Sequence, residues 1–181
     1  MLKTFDASLR RRWRAAAVTA AAAVAVAVAA STPAMAAPAA PAGTARFVKS
    51  LQDAQTGRCL DSNAVGNVYT NPCQAPGNPY QDWIETVYTN VFGFHYYSFE
   101  DVATGRCLDS NANGNLYTLP CQAPGNPYQD WVPGSAPIAP PHALYDNQTV
   151  RCLDSNYNGN AYTLRCNGGN YQNWVIRTFA L

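Results

Sequence analysis

One sequence unit occurs three times in this chain of 181 residues. Its clearest stretch reads TGRCLDSNAVGNVYTNPC from Thr56, TGRCLDSNANGNLYTLPC from Thr104 and TVRCLDSNYNGNAYTLRC from Thr149. Each copy closes on an aromatic signature: Tyr80-Gln81-Asp82-Trp83, Tyr128-Gln129-Asp130-Trp131 and Tyr171-Gln172-Asn173-Trp174. The first cysteines, Cys59, Cys107 and Cys152, are spaced by 48 and 45 residues. The match extends upstream. Leu51, Phe99 and Leu144 stand eight residues before those cysteines, and Asp53, Asp101 and Asp146 follow two residues later. A unit this short cannot bury a core alone, so the three copies must pack on one another.

Within a unit the signals are for strands. No apolar series has the helical period, and Gly, Pro and Asn recur too often for helix. The runs 67–70 and 83–88 are rich in β-branched and aromatic residues and predict strands. Segments 63–66 and 76–79 carry turn chemistry. About four short strands per unit give about a dozen, and a ring of three units on one axis removes exposed edges. Trp83, Trp131 and Trp174 are expected to fill its centre. Gln81, Gln129 and Gln172 are expected on the same strand face, holding backbone or a carboxylate.

All six cysteines fall in the repeats, each copy with the interval Cys-x13-Cys. Fifteen pairings are possible on paper. Equivalent units should fold equivalently, which selects Cys59–Cys73, Cys107–Cys121 and Cys152–Cys166. Each bridge closes a loop worth roughly 3 kcal/mol by the chain-entropy argument. Zinc is not expected, because His95 and His142 are the only histidines and neither repeats. Asp109-x-Asn111-x-Asn113-Gly114 and Asp154-x-Asn156-x-Asn158-Gly159 imitate the start of a calcium loop. The twelfth positions are Pro120 and Arg165 rather than a bidentate Glu, so no metal or other cofactor is expected.

Residues 1–36 read as a secretory signal peptide. Arg10, Arg11, Arg12 and Arg14 precede an apolar run over 15–30, and Ala34-Met35-Ala36 offers the cleavage pattern. Residues 37–45 are mostly Ala and Pro and read as a disordered leader. The folded domain is expected over 46–181. After residue 36, seven basic residues stand against ten acidic ones, a net charge of −3. The basic residues are scattered singly, which argues against a nucleic-acid partner. A secreted, extracellular monomer without membrane contact after cleavage is expected, a setting in which disulfides persist.

Three Gln-x-Trp signatures in register, each preceded by Cys-Leu-Asp and a second cysteine, resemble the ricin B-type lectins over roughly residues 46–181. The resemblance implies an all-β fold, a β-trefoil of three repeats with pseudo-threefold symmetry. It also implies carbohydrate as the partner, with up to three weak sites. In that family the Asp of Cys-Leu-Asp binds sugar hydroxyls, here Asp61, Asp109 and Asp154. A carboxylate suits this task because charge-assisted hydrogen bonds are the stronger kind. Tyr69, Tyr117 and Tyr162 stand where the family often has a polar residue. Asn71, Leu119 and Leu164 stand where it usually has a stacking aromatic, so the tyrosines are expected to supply both ring and hydroxyl. Asn71 is counted with the first site. Tyr80, Tyr128 and Tyr171 replace the family Asn before Gln81, Gln129 and Gln172, and these six complete the candidate binding residues.

The implied function is a secreted, lectin-like module recognising polysaccharide or glycoconjugate. A different reading is a protein-binding trefoil, such as a secreted protease inhibitor. It would act through segments that break the symmetry, chiefly 90–97 and 133–142. Enzymatic activity is not expected. The two histidines lie outside the repeats, Glu85 and Glu100 are the only glutamates, and every cysteine is assigned to a bridge.

Overall fold

A computed structural model describes residues 46–134 and 142–181. The expected signal peptide over 1–36 and leader over 37–45 lie outside the described residues. The first repeat forms β1 (Phe47–Asp53), β2 (Arg58–Ser62), β3 (Val68–Pro72) and β4 (Trp83–Thr89). The second forms β5 (His95–Asp101), β6 (Arg106–Ser110), β7 (Leu116–Pro120) and β8 (Trp131–Pro133). The third forms β9 (Leu144–Asp146), β10 (Arg151–Ser155), β11 (Ala161–Arg165) and β12 (Trp174–Ala180). Among the described residues there are twelve strands, four per repeat, in line with the expected dozen.

Six of these strands make a barrel. β1 pairs with β12 from Phe47↔Ala180 to Asp53↔Trp174, β4 with β5 from Trp83↔Asp101 to Thr89↔His95, and β8 with β9 at Trp131↔Asp146. The pairs join through Lys49↔Trp83, Tyr97↔Trp131 and His142↔Trp174. Lys49, Tyr97 and His142 each lie ten residues before the first cysteine of a repeat, so the three joints are equivalent. The last joint closes the ring with two backbone hydrogen bonds of 2.9 Å. The remaining strands form three hairpins, β2–β3, β6–β7 and β10–β11, which bridge one another at Asn67↔Tyr117, Asn115↔Tyr162 and Tyr69↔Asn160. This is the β-trefoil expected from the sequence.

The core follows the repeat. Leu51, Phe99 and Leu144, then Leu60, Leu108 and Leu153, then Trp83, Trp131 and Trp174 are all buried in one cluster. Each indole N–H is satisfied, donating to the carbonyl of Leu60, Leu108 or Leu153 at 3.3, 3.2 and 3.0 Å. A buried donor left unpaired would cost free energy, so the ring nitrogen fixes the tryptophan's orientation as well as its position.

Polar side-chain bonds run around the axis in one direction. Asp53, Asp101 and Asp146 are fully buried. Each uses Oδ1 to accept the backbone N–H and the hydroxyl of Thr56, Thr104 or Thr149. Each uses Oδ2 to accept a serine from a neighbouring repeat: Ser62 to Asp101, Ser110 to Asp146 and Ser155 to Asp53. Hairpin backbones close a second cycle in the opposite sense, with Thr118 N donating to Gly66 O, Thr163 N to Gly114 O and Thr70 N to Gly159 O at 2.7–2.8 Å. The third repeat is thereby tied to the first.

The bridges are Cys59–Cys73, Cys107–Cys121 and Cys152–Cys166, each within its own repeat. Each staples a hairpin across its open end.

The hairpin contacts demand glycine. At Gly114 φ is +88°, and a Cβ would stand 2.6 Å from Thr163 O and 2.7 Å from Arg151 Nη2. Gly168 has φ +72° with nothing within 4 Å. Gly114→Ala combines backbone strain with a clash and should cost about 3 kcal/mol in urea unfolding. Gly168→Ala carries only the backbone term, about 1 kcal/mol. Equal losses would contradict the close-contact account.

Candidate functional site

Each repeat builds the same small constellation at one hairpin. In β2 the segment Cys59-Leu60-Asp61-Ser62 is buried throughout, and the same holds in β6 and β10. Asp61 stands directly opposite Tyr69, Asp109 opposite Tyr117 and Asp154 opposite Tyr162. Residues directly opposite in a pair share a face, so each carboxylate lies beside a phenol ring.

The carboxylates are held from beneath. Gln81, Gln129 and Gln172 donate Nε2 protons to Oδ2 of Asp61, Asp109 and Asp154 at 2.8, 2.8 and 2.7 Å. The second Nε2 proton goes to the carbonyl of Pro72, Pro120 or Arg165, at 3.1 Å in each case. Oε1 accepts the backbone N–H of Gln74, Gln122 or Asn167. These glutamines are at most 1% exposed, and each amide atom already has a partner. Their amides hold a carboxylate and backbone, the task expected of them from the sequence. They do not, however, share a strand with the tryptophans. They precede the strand, in a turn in the first two repeats and in a 3-10 turn, Asn170–Gln172, in the third.

The other oxygen, Oδ1, of Asp61, Asp109 and Asp154 accepts no side-chain hydrogen bond among the described residues. The three Asp residues are only 2–4% exposed, so a small part of each meets solvent. Burial pushes the carboxyls of Asp109 and Asp154 above the ordinary range, and the glutamine hydrogen bond partly offsets this. The tyrosine hydroxyls donate to the carbonyls of Ser62, Ser110 and Ser155 at 2.9, 2.8 and 3.0 Å. Burial, then the adjacent Asp carboxylate, raises the pKa of Tyr69, Tyr117 and Tyr162. These phenols remain neutral and present their rings as a wall. Tyr80 and Tyr128 lie across the hairpins, their carbonyls accepting Ser62 N and Ser110 N. Each phenol of the second set is close enough to the first to raise its pKa: Tyr80 on Tyr69, Tyr128 on Tyr117, Tyr171 on Tyr162.

The three sites differ at their edges. Asn71 donates to Asp61 Oδ2 at 3.1 Å. Leu119 and Leu164 occupy that strand position in the other repeats and are about 40% exposed. In the second site Asn126 donates to Asp109 Oδ2 at 3.3 Å. Its sequence signal, Gly125-Asn126-Pro127, reads only as a turn. In the third a groove of about 440 Å³ is lined by Asp154, Tyr162 and Tyr171 together with Tyr157. Tyr157 is the one aromatic at a position held by alanine in the other copies, which is the signal that could have found it.

The profile of the ricin-type beta-trefoil lectin domain matches residues 47–174. The chain belongs to that family. The designed threefold-symmetric protein ThreeFoil superposes on this ricin-type trefoil with a TM-score of 0.60 at 21% identity, covering 72% of this chain and 96% of its own. SeviL, in a structure bound to asialo-GM1 saccharide, superposes with a TM-score of 0.58 at 13% identity, covering 74% of this chain and 98% of its own. At these identities the superpositions establish the fold. No curated protein sequence matches this ricin-type chain significantly.

Two further carboxylates lie in the Gln-x-Trp segments. Asp82 and Asp130 are buried, each with an Oδ1 that has no partner among the described residues. Burial raises both pKa values; the next charges, Asp101 and Asp146, raise them further, while the Gly77 N–H works the other way at Asp82. The third repeat has neutral Asn173 instead. A raised native pKa favours the protonated form in the fold. That contribution is present below the ordinary carboxyl pKa of about 3.9 and is lost as pH rises through the native value. Asp130→Asn should therefore raise the urea midpoint at neutral pH, and the gain should shrink towards about pH 4. A lower midpoint at neutral pH would contradict this.

Proposed function

We propose that this ricin-type trefoil is a secreted carbohydrate-binding module with one shallow site per repeat. The observation that carries the reading is a carboxylate anchored by a glutamine through Oδ2, set beside a tyrosine directly opposite it and repeated three times. The carboxylate accepts sugar hydroxyls, and the ring covers the apolar C–H face of the sugar. Membership of the family supports the same reading. So does SeviL, a trefoil of the same fold, in its complex with a saccharide. Three intra-repeat disulfides suit an extracellular setting. Acceptors and rings bind sugar without turning it over, and each site alone is weak. Sites engaged together on one polymer raise avidity by roughly 10²–10⁴ when the ligand spans them.

A second reading has its own observation. The turn between β4 and β5 projects Val91, Phe92 and Phe94, which are 94%, 81% and 65% exposed. Asn90 caps it, its Oδ1 accepting the N–H groups of Phe92 and Phe94. This asymmetric tip suits a protein partner. Of the companion segment, residues 135–141 lie outside the described residues. Inhibition of secreted proteases, lost in Phe92→Ala with glycan binding kept, would favour this reading.

The test of the first reading is glycan-array binding by the wild type and by Asp61→Asn, Asp109→Asn and Asp154→Asn, each checked for folding by near-ultraviolet circular dichroism. Binding should fall stepwise as sites are removed. Full retention in the folded triple variant would overturn the proposal. Binding should also fall on acidification. It should do so above the ordinary carboxyl pKa of about 3.9, because burial raises the Asp109 and Asp154 carboxyls and protonation removes the acceptor. Undiminished binding at pH 3 would contradict a carboxylate acceptor.

A further inference from the structure

The third repeat departs from the other two in ways that meet at one groove. Tyr157 replaces Ala64 and Ala112 on the hairpin turn and is 80% exposed. Its hydroxyl has no hydrogen bond among the described residues. The segment between the second cysteine and the glutamine is also shorter. It spans six residues from Cys166 to Gln172, against eight from Cys73 to Gln81 and from Cys121 to Gln129. The bulky Ala75-Pro76 and Ala123-Pro124 loops give way there to Asn167-Gly168-Gly169.

The carboxylates differ in the same direction. Asp61 Oδ2 accepts from Gln81 and Asn71, and Asp109 Oδ2 accepts from Gln129 and Asn126. Asp154 Oδ2 accepts from Gln172 alone. It therefore has the fewest side-chain donors of the three, and an ionised carboxylate has about four lone-pair sites. Beside it lies the groove of about 440 Å³, within the size range of small-molecule sites.

Tyr162 stands opposite Asp154 on the strand pair, whereas Tyr157 lies on the turn beyond the end of β10. Both line the groove, one from the strand pair and one from the turn. We infer that the third repeat holds the principal site and that Tyr157 adds a second subsite, so that the preferred ligand is an oligosaccharide of at least two units. This rests on the carbohydrate-binding reading. One sugar sits against Asp154 and Tyr162, and its neighbour stacks on Tyr157. The gain is local, because Ala64 and Ala112 offer no ring at the equivalent places.

The test is titration of the intact chain with galactose, lactose, xylose and xylobiose, followed by calorimetry and site-resolved NMR. A disaccharide should bind more tightly than its monosaccharide, with the largest shifts in the third repeat. Tyr157→Ala should weaken the disaccharide about tenfold and leave the monosaccharide within about twofold. The inference is overturned if Tyr157→Ala changes neither sugar or lowers both alike. It is also overturned if Asp61→Asn or Asp109→Asn removes more binding than Asp154→Asn. Absence of saturable binding by all four sugars, or binding indifferent to all three Asp changes, sinks the underlying carbohydrate reading as well.

Discussion

A buried amide donating to a nearly buried carboxylate is the contact on which the site depends. Gln81 holds Asp61 in this way, and Gln129 and Gln172 repeat it at Asp109 and Asp154. Burying a carboxylate is costly unless it is hydrogen-bonded, and a bond to a charged acceptor offsets that cost better than a neutral one. The glutamine in turn is locked by a backbone donor and a backbone carbonyl, and the tryptophan two residues later anchors the segment in the core. Each Asp is thus fixed in orientation through Oδ2. A side chain fixed this way loses little rotamer freedom when a ligand arrives, which matters for a shallow site with few contacts.

Closure makes that arrangement affordable in so short a unit. No single repeat encloses its own tryptophan. The Ser-to-Asp bonds and the threonine-to-glycine backbone bonds run from each repeat to another and return to the first. Loss of one link is felt around the ring. Symmetry also frees the edges to vary, because hairpin turns and the segment after the second cysteine contribute little to the core. Asn126 and Tyr157 sit at such edges and Asn71 near the end of β3, and each changes one site without changing the frame.

Much of this was legible in the sequence, and for a physical reason. The repeat, the strand and turn signals, the Cys-x13-Cys pairing and the buried tryptophans are local patterns stated three times, so each copy checks the others. The glutamines were half legible. Their task of holding a carboxylate follows from the residue type, but the period-two rule applies only inside a strand, and Gln81 precedes β4. Asn126 reads as turn chemistry, and nothing local says that its amide turns back to Asp109. Tyr157 breaks the repeat visibly, yet only the fold shows that it lines one groove with Asp154 and Tyr171. The projecting Val91, Phe92 and Phe94 lie in a segment without counterpart in the other repeats, so symmetry offers no guide to them.

The central claim is that the carboxylate held by each glutamine is the atom group that meets sugar. The side-chain amide protons of Gln81, Gln129 and Gln172 touch that carboxylate and are shielded from solvent, so their NMR resonances report on it directly. Titration with lactose should shift them saturably, Gln172 first, together with the ring protons of Tyr162. Saturable lactose binding that leaves all three glutamine amides unmoved would contradict the account.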